Sequence, residues 1–269
     1  MTLRTIKIIL PPKGKEQIDL NRFNFKNDYR NCLFTIYLPC AKDKPYYKSS
    51  THSYIKLKIK EFIPRIWQKL IRICTISEVI GIVPERLENS IFHFFKDEFY
   101  YEHYPSFEEG DVERTSRWLR EYLDSYGTKY NFSYCTSKVF REICNKAHMK
   151  CYPENFIEQS ALFEFRRTTN VKQLTDIIFN KYRNILISRF KNWKLNGSHS
   201  YKVLKFALDN NPISLRNFKN NFEMLKNPQA NINTFCNESK SDKGIFLYYS
   251  KKDRKYHFPK FIQEFLDFQ

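Results

Sequence analysis

The stretch Cys32-Leu33-Phe34-Thr35-Ile36-Tyr37-Leu38 carries no charge and shows no alternation of apolar and polar residues. Side chains on a strand point to opposite faces in turn, so a run that is apolar throughout reads as a strand buried on both sides. Such a strand needs cover on each face of its sheet, which points to a layered α/β domain with a mostly parallel sheet. The run stops at Pro39-Cys40. Leu70–Ile76 reads as a second buried strand, followed by a turn at Gly81-Ile82-Val83-Pro84. Leu3–Leu10 reads as a short strand that Pro11-Pro12-Lys13-Gly14 ends, and Asn131–Cys135 as a further one. Ser53–Ile63 alternates at Ile55, Leu57 and Ile59, yet its length and Lys/Glu content favour a helix. Asp111–Tyr126 is the clearest helix: acidic residues at its start suit the helix dipole, Trp118, Tyr122 and Tyr126 recur every fourth residue, and Gly127 closes it. Ser137–Met149 reads as another. Strand and helix alternate over residues 1–165, the expected α/β core domain.

Residues 166–269 read differently, as a mainly helical module. Val171, Leu174, Ile178, Tyr182, Ile185 and Trp193 trace one face of a long amphipathic helix. A second helix is expected over Tyr201–Leu208. A third, with Leu215, Phe218, Phe222 and Leu225, starts after Asn211-Pro212. Gly244–Tyr249 and Lys255–Phe258 then form a hairpin around Lys251-Lys252-Asp253-Arg254. Three helices and a hairpin resemble a winged helix, which would put Arg216 and Lys219 on the reading helix and Lys251, Lys252, Arg254 and Lys255 on the wing. The bland alternative is a helical cap on the first domain.

Charge sharpens this division. The 269 residues carry a net +17. Residues 1–75 hold 16 basic and 5 acidic side chains, residues 76–170 hold 12 and 16, and residues 171–269 hold 18 and 8. Two basic ends flank a mildly acidic middle, the pattern expected of a protein that meets a polyanion such as tRNA or DNA. No apolar run reaches the roughly 18–20 residues of a bilayer span, so no membrane partner is expected. Met1–Leu10 lacks the apolar core of a secretory signal. Seven scattered cysteines fit reduced thiols in a cytoplasmic protein better than a disulfide framework.

The densest set of functional groups runs from Pro39 to His52, leaving the end of a buried strand, where open α/β sheets place their ligand crevice. An ordinary thiol has a pKa near 8.5 and is only about 3% thiolate at pH 7. Lys42 and Lys44 would raise the thiolate fraction of Cys40, and His52 offers an acid/base group. A small buried cysteine in a lysine-decorated loop is an equal reading of these residues alone.

The pattern P-C-x3-K-P-Y-x2-S-x2-H, carried by Pro39, Cys40, Lys44, Pro45, Tyr46, Ser49 and His52, resembles the core-domain motif of the archaeosine synthases. These archaeal enzymes act on 7-cyano-7-deazaguanine (preQ0) in tRNA. Gly81-Ile82-Val83-Pro84-Glu85-Arg86-Leu87-Glu88 is similar to a second stretch of that family, and Tyr101-Glu102-His103-Tyr104-Pro105 falls where a third lies. The resemblance covers roughly residues 30–125. It implies a three-layer α/β sandwich like uracil-DNA glycosylase. It also implies addition of an amine, lysine or similar, to the preQ0 nitrile, with the amine as co-substrate and no cofactor. In that reading Cys40, Lys44 and His52 are catalytic, and Pro39, Tyr46, Ser49, Gly81, Pro84 and Glu88 bind the base. Two departures stand out: Ala41 follows the cysteine where the family has Ser, and Glu78-Val79-Ile80 precedes Gly81 where it often has Ser-Pro-Leu. The chain has no room for the family's transglycosylase-like domain, so tRNA would be held by the basic ends or through a separate transglycosylase or RNA-binding subunit.

Other clusters carry less. Cys135, Cys144, His148 and Cys151 are spaced C-x8-C-x3-H-x2-C, looser than the tight pairs of zinc sites, so buried thiols and no metal are expected. His93 and His103, among Phe and Tyr, read as core or surface histidines. Glu108, Glu109, Asp111 and Glu113 fit the start of a helix. No phosphate-binding glycine loop appears. The expected function is therefore amine transfer to a deazaguanine nitrile in tRNA. A non-catalytic nucleic-acid-binding protein on the same fold is the alternative, and a nucleobase glycosylase the third reading.

Overall fold

Phe34–Pro39 form β1, and every side chain from Phe34 to Leu38 is buried, so both faces of this strand are covered. The computed structural model describes residues 32–41, 43, 45–94, 107–108, 110–155, 161–236 and 244–266. The strand expected at Leu3–Leu10 lies outside the described residues. The chain divides into two units, residues 1–176 and 177–269. The division falls inside a helix, Thr168–Leu195, rather than at 165/166. The first turns of that helix are bound to the first unit: Thr168 shares a hydroxyl hydrogen bond of 2.8 Å with Tyr54, and Gln173 accepts from the Glu154 amide.

The first unit is an α/β fold on a mixed, mostly parallel five-stranded sheet ordered β3-β2-β1-β4-β5. After β1 come α1 (Ser50–Phe62), β2 (Ile71–Ser77), β3 (Gly81–Pro84), α2 (Glu88–Phe94), α3 (Asp111–Tyr126), β4 (Tyr130–Tyr134), α4 (Lys138–Lys146), β5 (Cys151–Tyr152) and α5 (Ala161–Arg166). β1 pairs in parallel with β2, from Phe34 opposite Ile71 to Pro39 opposite Ile76, and with β4, from Phe34 opposite Tyr130 to Tyr37 opposite Ser133. β3 is the antiparallel edge strand.

Here the expectation of a plain turn at Gly81–Pro84 is corrected. The reversal is at Glu78-Val79-Ile80, where the Ser77 hydroxyl accepts from the Val79 and Ile80 amides, and Gly81 takes the left-handed φ of 84° that completes it. Pro84 is tolerated because an edge strand can spare a backbone N–H.

Alternation along β1 sorts the core. Tyr37 meets the ring of Tyr122 on α3 edge-on, while Phe34 stacks on Phe132 across the other face. α3 buries Trp118, Leu119 and Tyr122, worth about 1.5–3 kcal/mol each. Its C-terminal carbonyl at Tyr126 accepts 2.6 Å from buried Arg72 of β2, which also donates to Thr35 of β1. At its other end, Asp111 accepts from the Glu108 amide and pairs with Arg114, and Glu113 pairs with Lys146. These acidic residues serve the helix and its neighbours; Glu109 and His103 lie outside the described residues, as does the side chain of His93.

In the second unit, α7 (His199–Asp209), β6 (Ile213–Ser214), α8 (Leu215–Asn221), α9 (Pro228–Asn233), β7 (Tyr248–Ser250) and β8 (Lys255–His257) follow the remainder of α6 (Thr168–Leu195). The strands form an antiparallel sheet ordered β6-β8-β7. Phe190, Phe218, Phe235 and Phe246 fill its core, and the Tyr182 hydroxyl accepts from the Ile245 amide. The hairpin tip is exposed and is fixed by Asp253, which accepts from the Lys255 amide and the His257 ring. The expected third helix is shorter than its apolar spacing suggested. It ends at Asn221, and Asn227 caps a separate helix that opens on Pro228. Arg216 and Lys219 are exposed on α8, whereas α9, the helix preceding the hairpin, carries no Lys or Arg.

Candidate functional site

β1 delivers Pro39 and Cys40 to its C-terminal end. From there the chain folds back through a single 3-10 turn, Tyr46–Lys48, that Pro45 introduces. Ser49 then caps α1, its hydroxyl accepting from the His52 amide at 3.4 Å. The S-x2-H part of the motif is thus a helix N-cap and the residue it caps. His52 returns to the end of β1, with its Nε2 2.9 Å from the Pro39 carbonyl oxygen. A carbonyl only accepts, so Nε2 carries the proton in this arrangement. Tyr46 is completely enclosed; its ring stacks on His52 at 5.5 Å, and its hydroxyl lies 3.4 Å from Cys40 Sγ. Burial holds the Tyr46 phenol well above its ordinary range, so at neutral pH it is a hydroxyl that can donate to the sulfur.

Beside this cluster lies a cavity of about 530 Å³. One wall is the end of β1 and the start of α1, with Pro39, Cys40, Ser49 and His52 among its residues. Further lining comes from the loop after β4 and the start of α4, through Thr136, Ser137, Val139 and Phe140. Phe107, Leu162, Phe165 and Arg166 complete it. β1 and β4 are adjacent parallel strands whose connections leave toward opposite edges of the sheet, β1 toward β2 and β4 toward β5. The cavity therefore occupies the strand-order reversal where open α/β sheets hold ligands. Arg166 reaches to Ser50 and Thr51 at the N-terminus of α1, at 2.6 and 3.3 Å.

Of the residues expected from sequence, Pro39, Cys40, Ser49 and His52 come together here. Lys44, like Lys42, lies outside the described residues. Tyr46 sits behind the lining and touches the sulfur. Gly81, Pro84 and Glu88 are not part of the lining: the first two shape the β2–β3 hairpin. Glu88, almost fully buried, instead accepts 3.0 Å from the Tyr47 amide and braces the loop that carries the first motif. Burial raises its carboxyl to about 7, against the opposing pull of Lys56. The residues missed were Thr136, Ser137, Phe140, Phe165 and Arg166. For Thr136, Ser137 and Phe140 the only signal was polar and aromatic residues flanking a predicted strand, informative once the neighbour of β1 is known; Phe165 and Arg166, far along the chain in α5, gave none.

A second cluster lies on the same crossover. The sulfurs of Cys135, Cys144 and Cys151 stand within 4.8 Å of one another, all buried. Hydrogen bonds from the other two thiols pull Cys151 down, while burial pushes Cys144 up. His148 is exposed and outside the cluster. None of the seven cysteines is in a disulfide. Among the described residues no helix is long and apolar enough to cross a membrane.

Residues 21–175 match the model of a protein family described as Domain of unknown function (DUF5591). That is more than half of the chain. The chain belongs to this family. The DUF5591 match ends one residue short of the boundary of the first unit, so the whole cavity lies within it and the basic C-terminal unit lies beyond it. A solved structure, "Crystal structure of AF0587, a protein of unknown function", is similar at 17% identity over 52% of this chain and 44% of that one, with a TM-score of 0.34. The DUF5591 chain here thus spans under half the length of that protein. No curated protein matches.

Proposed function

We propose that this protein is a tRNA-modifying enzyme of the archaeosine synthase type, built on a three-layer sandwich like uracil-DNA glycosylase, which adds an amine to the nitrile of a 7-deazaguanine. The reading rests on one observation: Cys40 and His52, brought together by the motif that resembles that family, line a single cavity at the strand-order reversal. Its Phe107, Phe140 and Phe165 suit a planar heterocycle, and its volume is in the range of small-molecule sites.

In this reading the Cys40 sulfur attacks the nitrile carbon, and its proton ends on the nitrile nitrogen to give a thioimidate. The amine then adds to the same carbon, the sulfur departs with a proton, and an amidine remains. No ATP enters, because a nitrile is already electrophilic. The Tyr46 hydroxyl donates to the sulfur while it is anionic. His52, proton on Nε2, holds the end of β1 and stacks on Tyr46. Lys44 would stabilise the developing nitrogen anion. The test is mass spectrometry of preQ0-containing tRNA incubated with the protein and lysine. A mass gain equal to lysine, lost in Cys40→Ser, is expected. Full turnover by Cys40→Ser would remove the thioimidate step.

A second reading is favoured by the C-terminal unit, whose helix–strand–helix–helix–hairpin order resembles a winged helix with a basic tip. In it the protein binds nucleic acid without catalysis. Tight tRNA retention with no mass gain would select it.

A further inference from the structure

Cys135, Cys144 and Cys151 come from three consecutive elements: the residue after β4, the last turn of α4, and the first residue of β5. Register brings them together. Ser133 pairs with Cys151 across β4 and β5, and Cys135, two residues on from Ser133, shares that face of the sheet. α4 crosses over it and lowers Cys144 onto the pair. The Ser133 hydroxyl lies 3.2 Å from Cys144 Sγ and 3.4 Å from Cys135 Sγ. We infer that these three thiolates, with the Ser133 oxygen at the fourth corner, form a structural Zn²⁺ site that ties together the β4–α4–β5 crossover.

Distances decide in favour of a tetrahedral ion. With Zn–S near 2.3 Å and Zn–O near 2.0 Å, a tetrahedron puts sulfurs about 3.8 Å apart and the oxygen about 3.5 Å from each sulfur. The serine oxygen is already near that spacing from the Cys144 and Cys135 sulfurs. Closing the sulfurs from at most 4.8 Å needs a shift of no more than about 0.6 Å each, within reach of small χ1 rotations. Charge decides in favour of a divalent ion. Three thiolates with Zn²⁺ carry a net single negative charge. The Arg141 guanidinium, which donates to the Cys135 and Pro153 carbonyls at 3.1 and 2.8 Å, brings one positive charge to the same loop. Burial and sulfur ligands exclude hard ions such as Mg²⁺. Binding displaces whatever protons the three thiols still carry, which leave to solvent. Because Cys135 precedes the cavity-lining Thr136 and Ser137, the ion would stiffen that wall without entering it. The inference is independent of the proposed reaction.

The full-length chain, reduced and refolded with Zn²⁺, is expected to hold one Zn²⁺ by native mass spectrometry and to release protons to a pH indicator as it binds. Cobalt(II) should give sulfur-to-metal charge-transfer absorption. Cys135→Ser, Cys144→Ser and Cys151→Ser should each weaken Zn²⁺ binding at least tenfold, Ser133→Ala roughly tenfold, and Cys236→Ser not at all. Zn²⁺ should also shield these three thiols of the wild-type protein from alkylation, a measurement independent of whether any variant folds. A folded wild-type chain that takes up no Zn²⁺, that binds Cu(I) but not Zn²⁺, or that alkylates at all three positions equally with and without Zn²⁺ overturns the assignment.

Discussion

Glu88 shows how one side chain joins two distant stretches of sequence. It lies 41 residues from Tyr47, and its carboxylate accepts the amide that opens the loop bearing the candidate site. Burial raises its pKa from 4.5 to about 7, so the folded chain binds a proton there more tightly than the unfolded one. A raised folded pKa gives stability that is complete below about pH 4.5 and is lost as pH rises through about 7, at most about 3 kcal/mol in all. Glu88→Gln keeps an acceptor for Tyr47 and removes the titration. Thermal denaturation of Glu88→Gln should lose this fall between pH 4.5 and 7 and match or exceed wild type at pH 8. An identical pH profile in the two proteins would contradict this account.

Among the elements, α1 carries the most consequence for the site, because its first turn holds His52 against Pro39. Ser49 satisfies the His52 amide, one of the four orphan donors of that helix end. Ser49→Ala should therefore cost about 1 kcal/mol in urea denaturation, and Ser49→Asp, an equally good cap, should recover it. A cost carried equally by Ser49→Asp would assign the serine some role other than capping. The same chemistry explains the shortened third helix of the C-terminal unit. Phe218 and Phe222 continue an apolar stripe toward Leu225, but the Asn227 cap with Pro228 at the first helical position starts a new helix just beyond. Local capping won over periodicity.

On the scale of the molecule, residues 177–269 hold 17 basic and 7 acidic side chains, with Lys251, Lys252 and Arg254 exposed on one hairpin tip. If that tip meets phosphates, the combined variant Lys251→Ala, Lys252→Ala, Arg254→Ala should weaken tRNA binding. It should also flatten the slope of log K against log salt by roughly 2–3, about 0.7–0.9 per lost contact. A filter-binding salt series reads this directly, and an unchanged slope would move the contact elsewhere. The polyanion contact expected from composition remains a proposal that this measurement addresses.

Local pattern was enough for the elements whose stabilisation is local. The unbroken apolar run became the central strand, the Asp111–Tyr126 helix has the bounds its dipole and glycine signals predict, and the basic tip sits on a hairpin. The thiol and imidazole of the first motif were legible too, because a cap and a tight turn hold them within a dozen residues. Tertiary structure alone decided that β4 lies beside β1, and that Phe140 and Arg166 line the same cavity as Cys40. It also turned Gly81–Pro84 into an edge strand, made Glu88 a brace, and gathered three widely spaced thiols. Strand order follows from how whole layers pack, and protonation from how deeply a group is enclosed. Neither quantity is a property of neighbours along the chain.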